Sequence, residues 1–473
     1  MLKRFMKLVT IAPLTLLVSA CAVGPNYHQP ATKVAEKFGG AETATFNTGA
    51  GVAQFWQTFD DATLTRLVNE SLLANYDLRI ALTRIKEARA LRGESYLDLA
   101  PTITADGGYT KTRTSSVQTL PGVSRDATFY DAGFDAVWEL DLFGRVRRGV
   151  EASNAGLGVA EAGLHDAQVS VTAEVTRTYF ELRGFQQQLE VANRNVANQR
   201  DTLELAKVLL DNGRGTEFDT ARAQAQLSGT LGTIGPLEAA VARSIHRLSV
   251  LIGREPGALR EELTPAKDLP PLPEMTAVGN PSDLLRRRPD IRVAERQLAG
   301  ATARVGIAVA DIFPRVTFVG NLGSVAATRA GLGDSGNDAW TIAPGISWAA
   351  LDLGRVKARI NAAHARSDGA LLNYEQTVLR ALEDTEDSLV TYSRARDRLV
   401  HDQEAVSASG TASRLARLRY ENGSSDFLQV LDAERSQLQS EDRLARSRTE
   451  AATSLIAVYK ALGGGWESAP RPN

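Results

Sequence analysis

The stretch from Leu285 to Pro314, LRRRPDIRVAERQLAGATARVGIAVADIFP, indicates how this chain is built. Pro289 suits the first position of a helix, where its missing N–H is not needed. The residues after it carry a helical pattern for about six turns, until Pro314 stops the helix. Residues 315–325 then alternate like a strand. A long helix that leads into a strand at a proline predicts a fold built from helices and strands together.

The same order of elements occurs twice along the chain. An earlier helix, predicted over 77–99, ends before Pro101. Further on, the sequence FGRVR at 143–147 is echoed by LGRVK at 353–357. The sequence therefore predicts two structural repeats, each with two strands and a helical hairpin. The first repeat is 61–252, with strands at about 102–114 and 128–142 and a hairpin over about 147–252; the second is 289–462, with strands at about 315–326 and 339–351 and a hairpin over about 354–461.

The remaining segments lack these periodic patterns. Residues 1–20 carry basic residues followed by an apolar run, which is typical of a secretory signal peptide. Residues 21–60 are rich in small residues and predict an extended arm. Residues 253–288 are proline-rich and predict a crossover linker, and residues 463–473 predict a flexible tail.

Cys21 is the only cysteine in the chain. It follows Val18-Ser19-Ala20 at the end of the predicted signal peptide, and VSAC resembles a lipobox. We therefore expect Cys21 to be a site of lipid attachment, in a lipoprotein of the outer membrane. The alternative is an ordinary signal peptide with a coincidental cysteine.

Residues 130–142 alternate between apolar and polar side chains. Phe134 and Trp138 fall on one face and Asp135 on the other, which is typical of a strand between an apolar and a wet environment. A bilayer does not tolerate open strand edges, because each unpaired backbone group there costs several kcal/mol. If these strands span a membrane, they must therefore close with strands of other chains; a soluble sandwich of short strands is the alternative. Pro344 lacks a ladder donor and is expected at a rim or a bulge.

Several of these motifs resemble one known family. RRPDI at 287–291, followed by a small-residue helix and by Phe313-Pro314, is similar to the signature of the TolC-like outer membrane factors. Within that family it resembles the lipoprotein branch called the NodT family. The segment VGPNY at 23–27 resembles the family's sequence just after the lipid-bearing cysteine.

The resemblance implies a mainly α fold with a transmembrane β part. It implies a homotrimer, with a shared 12-stranded barrel in the outer membrane and a long antiparallel α-helical barrel that reaches into the periplasm. Each chain would supply four strands to the barrel. Such channels are passive exit ducts of resistance-nodulation-division efflux systems. The implied partners are outer membrane lipid, a periplasmic adaptor protein and an inner-membrane efflux pump.

The turns between the long helices are the predicted periplasmic tip. Asn-Gly pairs at 212–213 and 422–423 are left-handed C-cap signals. We expect the turns to contact the adaptor through Asn212, Gly213, Arg214, Gly215, Asn422, Gly423, Ser424 and Ser425. The resemblance implies a gate close by, with Tyr420 and Asp432 at gate-forming positions and Asp219 as a partner on the other hairpin. Asp426 lies beside the second turn and is predicted to belong to the same gate. In a trimer each carboxylate forms a ring of three, which attracts cations and resists anions.

Structural roles are open alternatives for these residues. Asp426 with Gln429 fits a capping box. Asp432 fits a solvated charge on a helix surface. The arginines at 286–288 fit either a gate or a phosphate clamp, or an anchor of the crossover through pairing with nearby carboxylates.

Other function classes find little support in the sequence. A net charge of −2 gives no reason to expect nucleic acid as a partner. The histidines are scattered, without HExxH spacing or a cysteine partner, so no metal site or cofactor is expected. We expect no catalytic residues and no enzyme activity. Two alternatives stay open: an outer-membrane channel for type I protein secretion, and a periplasmic scaffold lipoprotein that forms no channel.

The lipid prediction can be tested at Cys21 itself. Substitution Cys21→Ser removes the thiol to which the lipid would be attached, so metabolic labelling with palmitate should be lost. Ser19→Ala, two residues earlier, is the matched control and should keep the label. Palmitate that persists in the Cys21→Ser protein would refute the assignment.

Overall fold

The computed structural model describes residues 22–41, 46–47, 53–273 and 276–466. The predicted signal peptide, Cys21 and residues 467–473 of the predicted tail lie outside the described residues. The described chain divides into two compact units. Unit 1 comprises the chain up to Ala31 with Arg84–Glu161 and Val293–Glu375. Unit 2 comprises Thr32–Thr83, Ala162–Arg292 and the chain from Gln376 onward.

Helices make up most of the described chain. They are α1 (Ala62–Ala74), α2 (Tyr76–Leu97), α3 (Arg145–Asp211), α4 (Glu217–Leu251), α5 (Arg260–Leu263), α6 (Pro281–Arg287), α7 (Pro289–Ala310), α8 (Leu353–Glu421) and α9 (Phe427–Ala461). Pro289 opens α7, as its missing N–H predicts. Among the helices described, none is both long and apolar enough to cross a membrane.

The strands of unit 1 form one antiparallel sheet of order β2-β3-β5-β6. Its members are β2 (Thr102–Arg113), β3 (Asp126–Leu140), β5 (Arg315–Ala326) and β6 (Asp338–Ser347). A separate parallel pair in unit 2 joins β1 (Phe46–Asn47) to β4 (Thr276–Ala277). Within the described chain, β2 and β6 are the two edges of the four-stranded sheet.

The sheet has one apolar face and one polar face. Phe134 on β3 lies opposite Leu322 on β5, which in turn lies opposite Trp340 on β6. These three side chains share a face and are 58%, 63% and 70% exposed. On the other face, the Asn321 amide donates a hydrogen bond of 2.8 Å to Asp135. The alternation in the sequence thus becomes a sheet whose apolar face is uncovered in the single chain.

β6 bears on two sequence-based expectations. Pro344, expected at a rim or a bulge, lies opposite Phe318 in an unbroken register, which excludes the bulge within this strand and leaves the rim. An edge strand tolerates proline at positions where the backbone nitrogen points away from the sheet, because no hydrogen bond to a neighbouring strand is lost there. β6 also ends at Ser347 and not near residue 351, because the chain turns where Asp352 N–H donates to Ala349 O.

Two tryptophans bind the ends of the preceding helical segments in unit 1. The indole N–H of Trp138 donates to Leu99 O at 3.0 Å. That of Trp348 donates to Ile312 O at 2.8 Å. Each accepting carbonyl lies two residues before a proline that starts a strand segment. These bonds fix the direction in which the chain leaves the helix and enters the sheet.

The N-terminal arm is bound to unit 1 by one buried arginine. The Arg148 side chain, only 4% exposed, donates to the backbone carbonyls of Ala22, Val23 and Gly24 and to Asn26 Oδ1. Several donors on one planar group can thus hold an extended segment that has no helix or sheet partners of its own. Residues 22–26 of the arm are therefore part of unit 1.

Glycines allow the arm to approach closely. Gly24 has a φ of +88°, and a Cβ added there would lie 2.6 Å from Gly306 Cα on α7. Gly144 has a φ of +82°, and an added Cβ would lie 2.5 Å from Ala22. Neither site accepts a side chain, because the left-handed backbone and the short contact both exclude one.

The core of unit 2 contains a cluster of aromatic rings. Phe55 stacks on Tyr459 with ring centroids 4.8 Å apart, and Phe59 meets Phe180 edge-on at 4.8 Å. Asp61 caps α1 by accepting from Leu64 N–H, and it also accepts from the Tyr179 hydroxyl at 2.8 Å. These contacts attach the chain before α1 to the long helices α3 and α9.

The arginines of RRRPD act as structural anchors in unit 2. Arg288 donates to Asp290 at 2.7 Å, to Asp384 at 3.1 Å and to Ala461 O at 3.1 Å. Arg286 pairs with Asp283 at 2.7 Å. These are the carboxylate pairings expected of an anchor for the crossover.

We predict that Arg148 holds the arm. Substitution Arg148→Met leaves several buried carbonyls without a donor, and the arm should lose about 3 kcal/mol of local stability. Hydrogen exchange of the Val23 amide, which donates to Phe143 O, should accelerate by about two orders of magnitude. Arg355→Met is the control, because the Arg355 side chain is 83% exposed. Equal exchange rates in both variants would show that other contacts hold the arm.

Candidate functional site at the hairpin turns

The two helical hairpins of unit 2 turn in the same way. After α3, Gly213 with a φ of +70° donates to Leu210 O, and Arg214 donates to Leu209 O. After α8, Gly423 with a φ of +70° donates to Tyr420 O, and Ser424 donates to Arg419 O. This bond pattern is a Schellman motif, in which a left-handed glycine satisfies the last carbonyls of a helix.

The asparagine before each glycine strengthens the cap. The Asn212 amide donates to Val208 O at 2.6 Å, and the Asn422 amide donates to Leu418 O at 2.7 Å. Most of the other turn residues are exposed, including Arg214 and Ser424. Ser425 differs, because its hydroxyl oxygen is buried without a hydrogen-bond partner among the described residues.

Asp219 is part of a capping box at the start of α4. Its backbone N–H donates to Thr216 Oγ1 at 3.2 Å, and its carboxylate accepts from Thr216 N–H at 3.2 Å. The sequence pattern T-x-x-D at 216–219 carries this signal, which the sequence analysis missed. The predicted gate carboxylate therefore also stabilises the helix in which it lies.

Asp426 caps α9, but without a full capping box. Its carboxylate accepts from Leu428 N–H at 3.1 Å. Gln429 donates its backbone N–H to Asp426 O at 3.1 Å, and the reciprocal side-chain bond expected of Gln429 is absent from the described contacts. Among the described contacts, the capping box lies in the first hairpin and not in the second.

Tyr420 lies at the end of α8 and contacts the start of α9. Its ring lies 5.2 Å from that of Phe427. Burial raises the pKa of Tyr420, the negative charges of Asp219 and Asp426 raise the pKa further, and Arg214 lowers it. Three of the predicted gate residues thus influence one another electrostatically, and so does Arg214, which the sequence analysis assigned to the turn alone.

Asp432 lies apart from that group in its contacts. Its carboxylate pairs with Arg435 at 2.5 Å on the same helix, and the side chain is 66% exposed. This is the geometry expected of a solvated charge on a helix surface. Asp432 is therefore available to a ring of charges only if its pairing with Arg435 can be broken.

One apolar cluster lies behind both turns. It is formed by Val196, Leu203 and Ala206 on α3, Ala223 and Leu227 on α4, and Phe427, Val430 and Leu431 on α9, with Tyr420 packed against it. Burial of such side chains contributes roughly 1.5–3 kcal/mol each. The turns are therefore held by a shared core, so that a movement of one hairpin has to repack the other.

The chemistry of the turns is electrostatic. The group holds carboxylates, a phenol and a guanidinium, which act on one another through charge. Across the part of the chain that the structure describes, no three His, Cys, Asp or Glu side chains are grouped so that they could hold a metal ion.

Comparison with known proteins gives consistent matches over most of the chain. The family model "Outer membrane efflux protein" matches residues 67–254 and 280–464. Nodulation protein T of Rhizobium leguminosarum bv. trifolii is 30% identical over 459 residues, which cover 96% of each chain. The toluene efflux pump outer membrane protein TtgI of Pseudomonas putida is 30% identical over 469 residues, which cover 95% of this chain and 97% of TtgI.

A solved structure is similar over the same length. The outer-membrane channel OprN is 42% identical, with a TM-score of 0.89, and the match covers 94% of this chain and all of the OprN chain. A helix-rich chain with a small antiparallel sheet is thus an arrangement that outer-membrane channels share.

We predict that Asp219 has a measurable capping role. Asp219→Ala removes the acceptor for Thr216 N–H and should cost about 1 kcal/mol of local stability. Hydrogen exchange of the amides of residues 217–220 should then accelerate about fivefold. Asp219→Asn keeps an acceptor and should exchange like the unmodified protein. Gln429→Ala is the matched control, because Gln429 lies six residues after Gly423 just as Asp219 lies six residues after Gly213. An unchanged rate in Asp219→Ala would remove the capping role.

Proposed function

Because this chain belongs to the outer membrane efflux protein family, it serves as an outer-membrane exit duct of an efflux system, and we propose that three copies of it form one channel. The outer membrane location follows from the same relationship. The relatives are efflux channels and not enzymes, which supports a role without catalysis.

The open sheet supports assembly with other copies. In the described chain β2 and β6 are edges, and the apolar face around Phe134, Leu322 and Trp340 is uncovered. In a bilayer each unpaired edge group costs several kcal/mol, so closure with further strands is strongly favoured. Three copies of four strands would give a closed barrel of twelve, with lipid against the apolar face. The polar face with Asp135 and Asn321 would line the duct.

Two structural repeats are proposed for each chain. The elements that support them are spaced alike: α4 and α9 each have 35 residues, and both begin six residues after the end of the preceding long helix. The indole bonds of Trp138 and Trp348 to the preceding segments are also equivalent. The proposed repeats are 61–252 and 289–462, joined by the crossover linker 253–288. Lipid attached at Cys21 would anchor the arm to the membrane.

The hairpin turns are the proposed periplasmic gate and adaptor contact. The negative charges of Asp219 and Asp426 both raise the pKa of Tyr420, which supports these three residues as parts of a gate. Asp432 is proposed as a fourth. In a trimer these carboxylates would surround the duct axis in rings that favour cations. The exposed turns 212–215 and 422–425 would contact a periplasmic adaptor, which couples the duct to an inner-membrane pump. TtgI is, by its name, the outer membrane protein of a pump, which supports such partners here.

The proposal is tested by measuring mass and conductance together. The purified protein in detergent should have the mass of a trimer and show small, mostly closed, cation-selective conductance in planar bilayers. The double variant Asp219→Asn with Asp432→Asn should conduct more and select cations less, because the ring charges are lost while the Asp219 cap keeps an acceptor. Glu404→Gln, on an exposed part of α8, removes one charge elsewhere and should leave both quantities unchanged.

Two results would contradict the proposal. A monomer without conductance would favour a periplasmic scaffold. A conducting trimer whose selectivity does not change in the double variant would remove the carboxylate gate while leaving the duct.

A further inference from the structure

Helix α4 changes character between its two ends. The last buried residue near the turn is Thr230, and the next buried residue along the helix is Ala240. Every residue from 231 to 239 is at least partly exposed. Ile234 packs against the apolar cluster behind the turns, but it too is only partly buried. α4 therefore has two packed ends and a loosely packed middle section.

A cavity of about 590 Å³ borders this middle section, with walls from α3, α4 and α9 of unit 2. The α4 wall includes Gly229, Gly232, Thr233 and Pro236, and the α9 wall includes Leu438. Neighbouring helices therefore restrain this part of α4 less than they restrain its packed ends, and the cavity leaves room for it to move.

The same section carries three glycines, Gly229, Gly232 and Gly235. A Cβ added at any of them would lie in open space. Gly184 on α3 differs, because a Cβ there would collide with the side chain of Thr449. Close packing therefore does not require the three glycines of α4. Their effect is on the backbone, since glycine lowers the stability of a helix interior and allows it more conformations.

Pro236 interrupts the hydrogen bonds of α4 directly after these glycines. It lies inside the helix and has no backbone N–H, so it cannot donate to the Gly232 carbonyl. Its ring also crowds that carbonyl, and proline is a common cause of sharp helix kinks. The return helix of the other hairpin, α9, also has 35 residues but contains neither glycine nor proline. The weak section thus belongs to α4 alone among these two helices.

We propose that residues 229–236 of α4 form a hinge, at which the tip segment 217–228 tilts relative to the body segment 240–251. A tilt of about 20° would move residue 217 by about 8 Å, because it lies about 22 Å from Gly232 along the helix. Asp219 lies in the tip segment, so the tilt would displace this proposed gate carboxylate without unfolding its capping box. That consequence for the gate rests on the proposed function, whereas the hinge itself does not.

The hinge is tested by the distances between pairs of nitroxide labels on the full-length protein in detergent, measured by electron paramagnetic resonance. Labels are attached to introduced cysteines in a Cys21→Ser background. The tip pair is Glu217→Cys with Gln429→Cys, and the body pair is Arg243→Cys with Ala457→Cys; all four residues are exposed. The distance distribution of the tip pair should be several ångströms wider than that of the body pair. Singly labelled proteins give the distances between copies.

Stiffening of the hinge should narrow the distribution of the tip pair to the width of the body pair. The double variant Gly232→Ala with Pro236→Ala returns the missing N–H donor and replaces the two least favourable helix residues by the most favourable one. Gly163→Ala on α3 is the matched control, because a Cβ there also lies in open space. It should leave both distributions unchanged. Circular dichroism and the mass in detergent would verify that each variant is folded.

Two results would overturn the hinge. Equal widths for the tip pair and the body pair would show that α4 behaves as one rigid helix. A tip distribution that stays wide in the double variant would show that the movement arises elsewhere, for example from fraying at the turns.

Export in cells tests whether the hinge serves the proposed gate. Cells that carry the double variant should export an efflux dye severalfold more slowly, because the tip would open less readily, and Gly163→Ala should export like the unmodified protein. Undiminished export by the double variant would remove the hinge from the opening of the tip. If the unmodified chain itself exported nothing, the proposed function would fail, whereas the label distances, which need no transport, would still decide the hinge.

Discussion

The structure of this chain depends on the unpaired backbone of its two outer strands. β2 and β6 each present a row of N–H and C=O groups that have no partner within the described chain. In water these groups would be hydrated, but in a hydrocarbon environment they require closure by other strands. The apolar face of the sheet and the family relationship together indicate a hydrocarbon environment. A single copy therefore leaves two sheet edges without partners, and the proposed trimer would supply those partners.

The two hairpin turns are more than simple loops between helices. Each turn is closed by backbone bonds around a left-handed glycine, and both turns rest on one apolar cluster. Asp219 caps α4, and its negative charge raises the pKa of Tyr420. Alanine at this position would therefore remove a helix cap and a charge together, whereas asparagine would remove the charge alone.

Much of the fold could be predicted from local patterns. Pro289 and Pro314 mark the limits of one helical segment, and Gly213 and Gly423 mark the turns, because proline and glycine restrict or extend the backbone wherever they occur. The docking of the arm could not be predicted in this way. Arg148 looks like any helix-surface arginine in the sequence, and its burial depends on carbonyls more than 120 residues away. The end of β6 could not be predicted from the alternation of side chains either, because a backbone turn at 349–352 follows the strand.

The candidate site was only partly predictable for the same reason. Asp219 and Tyr420 were found through family resemblance and Asp426 through its place beside the turn, and the charges of both carboxylates act on Tyr420. Arg214 was not predicted to act on Tyr420, because the two residues lie on different hairpins. Their proximity depends on how the hairpins pack against the shared apolar cluster.

The docked arm also bears on the order in which the chain acquires its structure. Gly24 meets Gly306 on α7, and the Tyr27 hydroxyl donates to Glu295, which is 268 residues away along the chain. Such distant contacts close a long loop, and loop closure is slow and costly in entropy until the partner elements exist. Residues 22–27 therefore cannot settle until α3 and α7 are both folded beside each other. Although residues 22–27 precede the described helices in sequence, we therefore expect them to dock only after α3 and α7 have packed together.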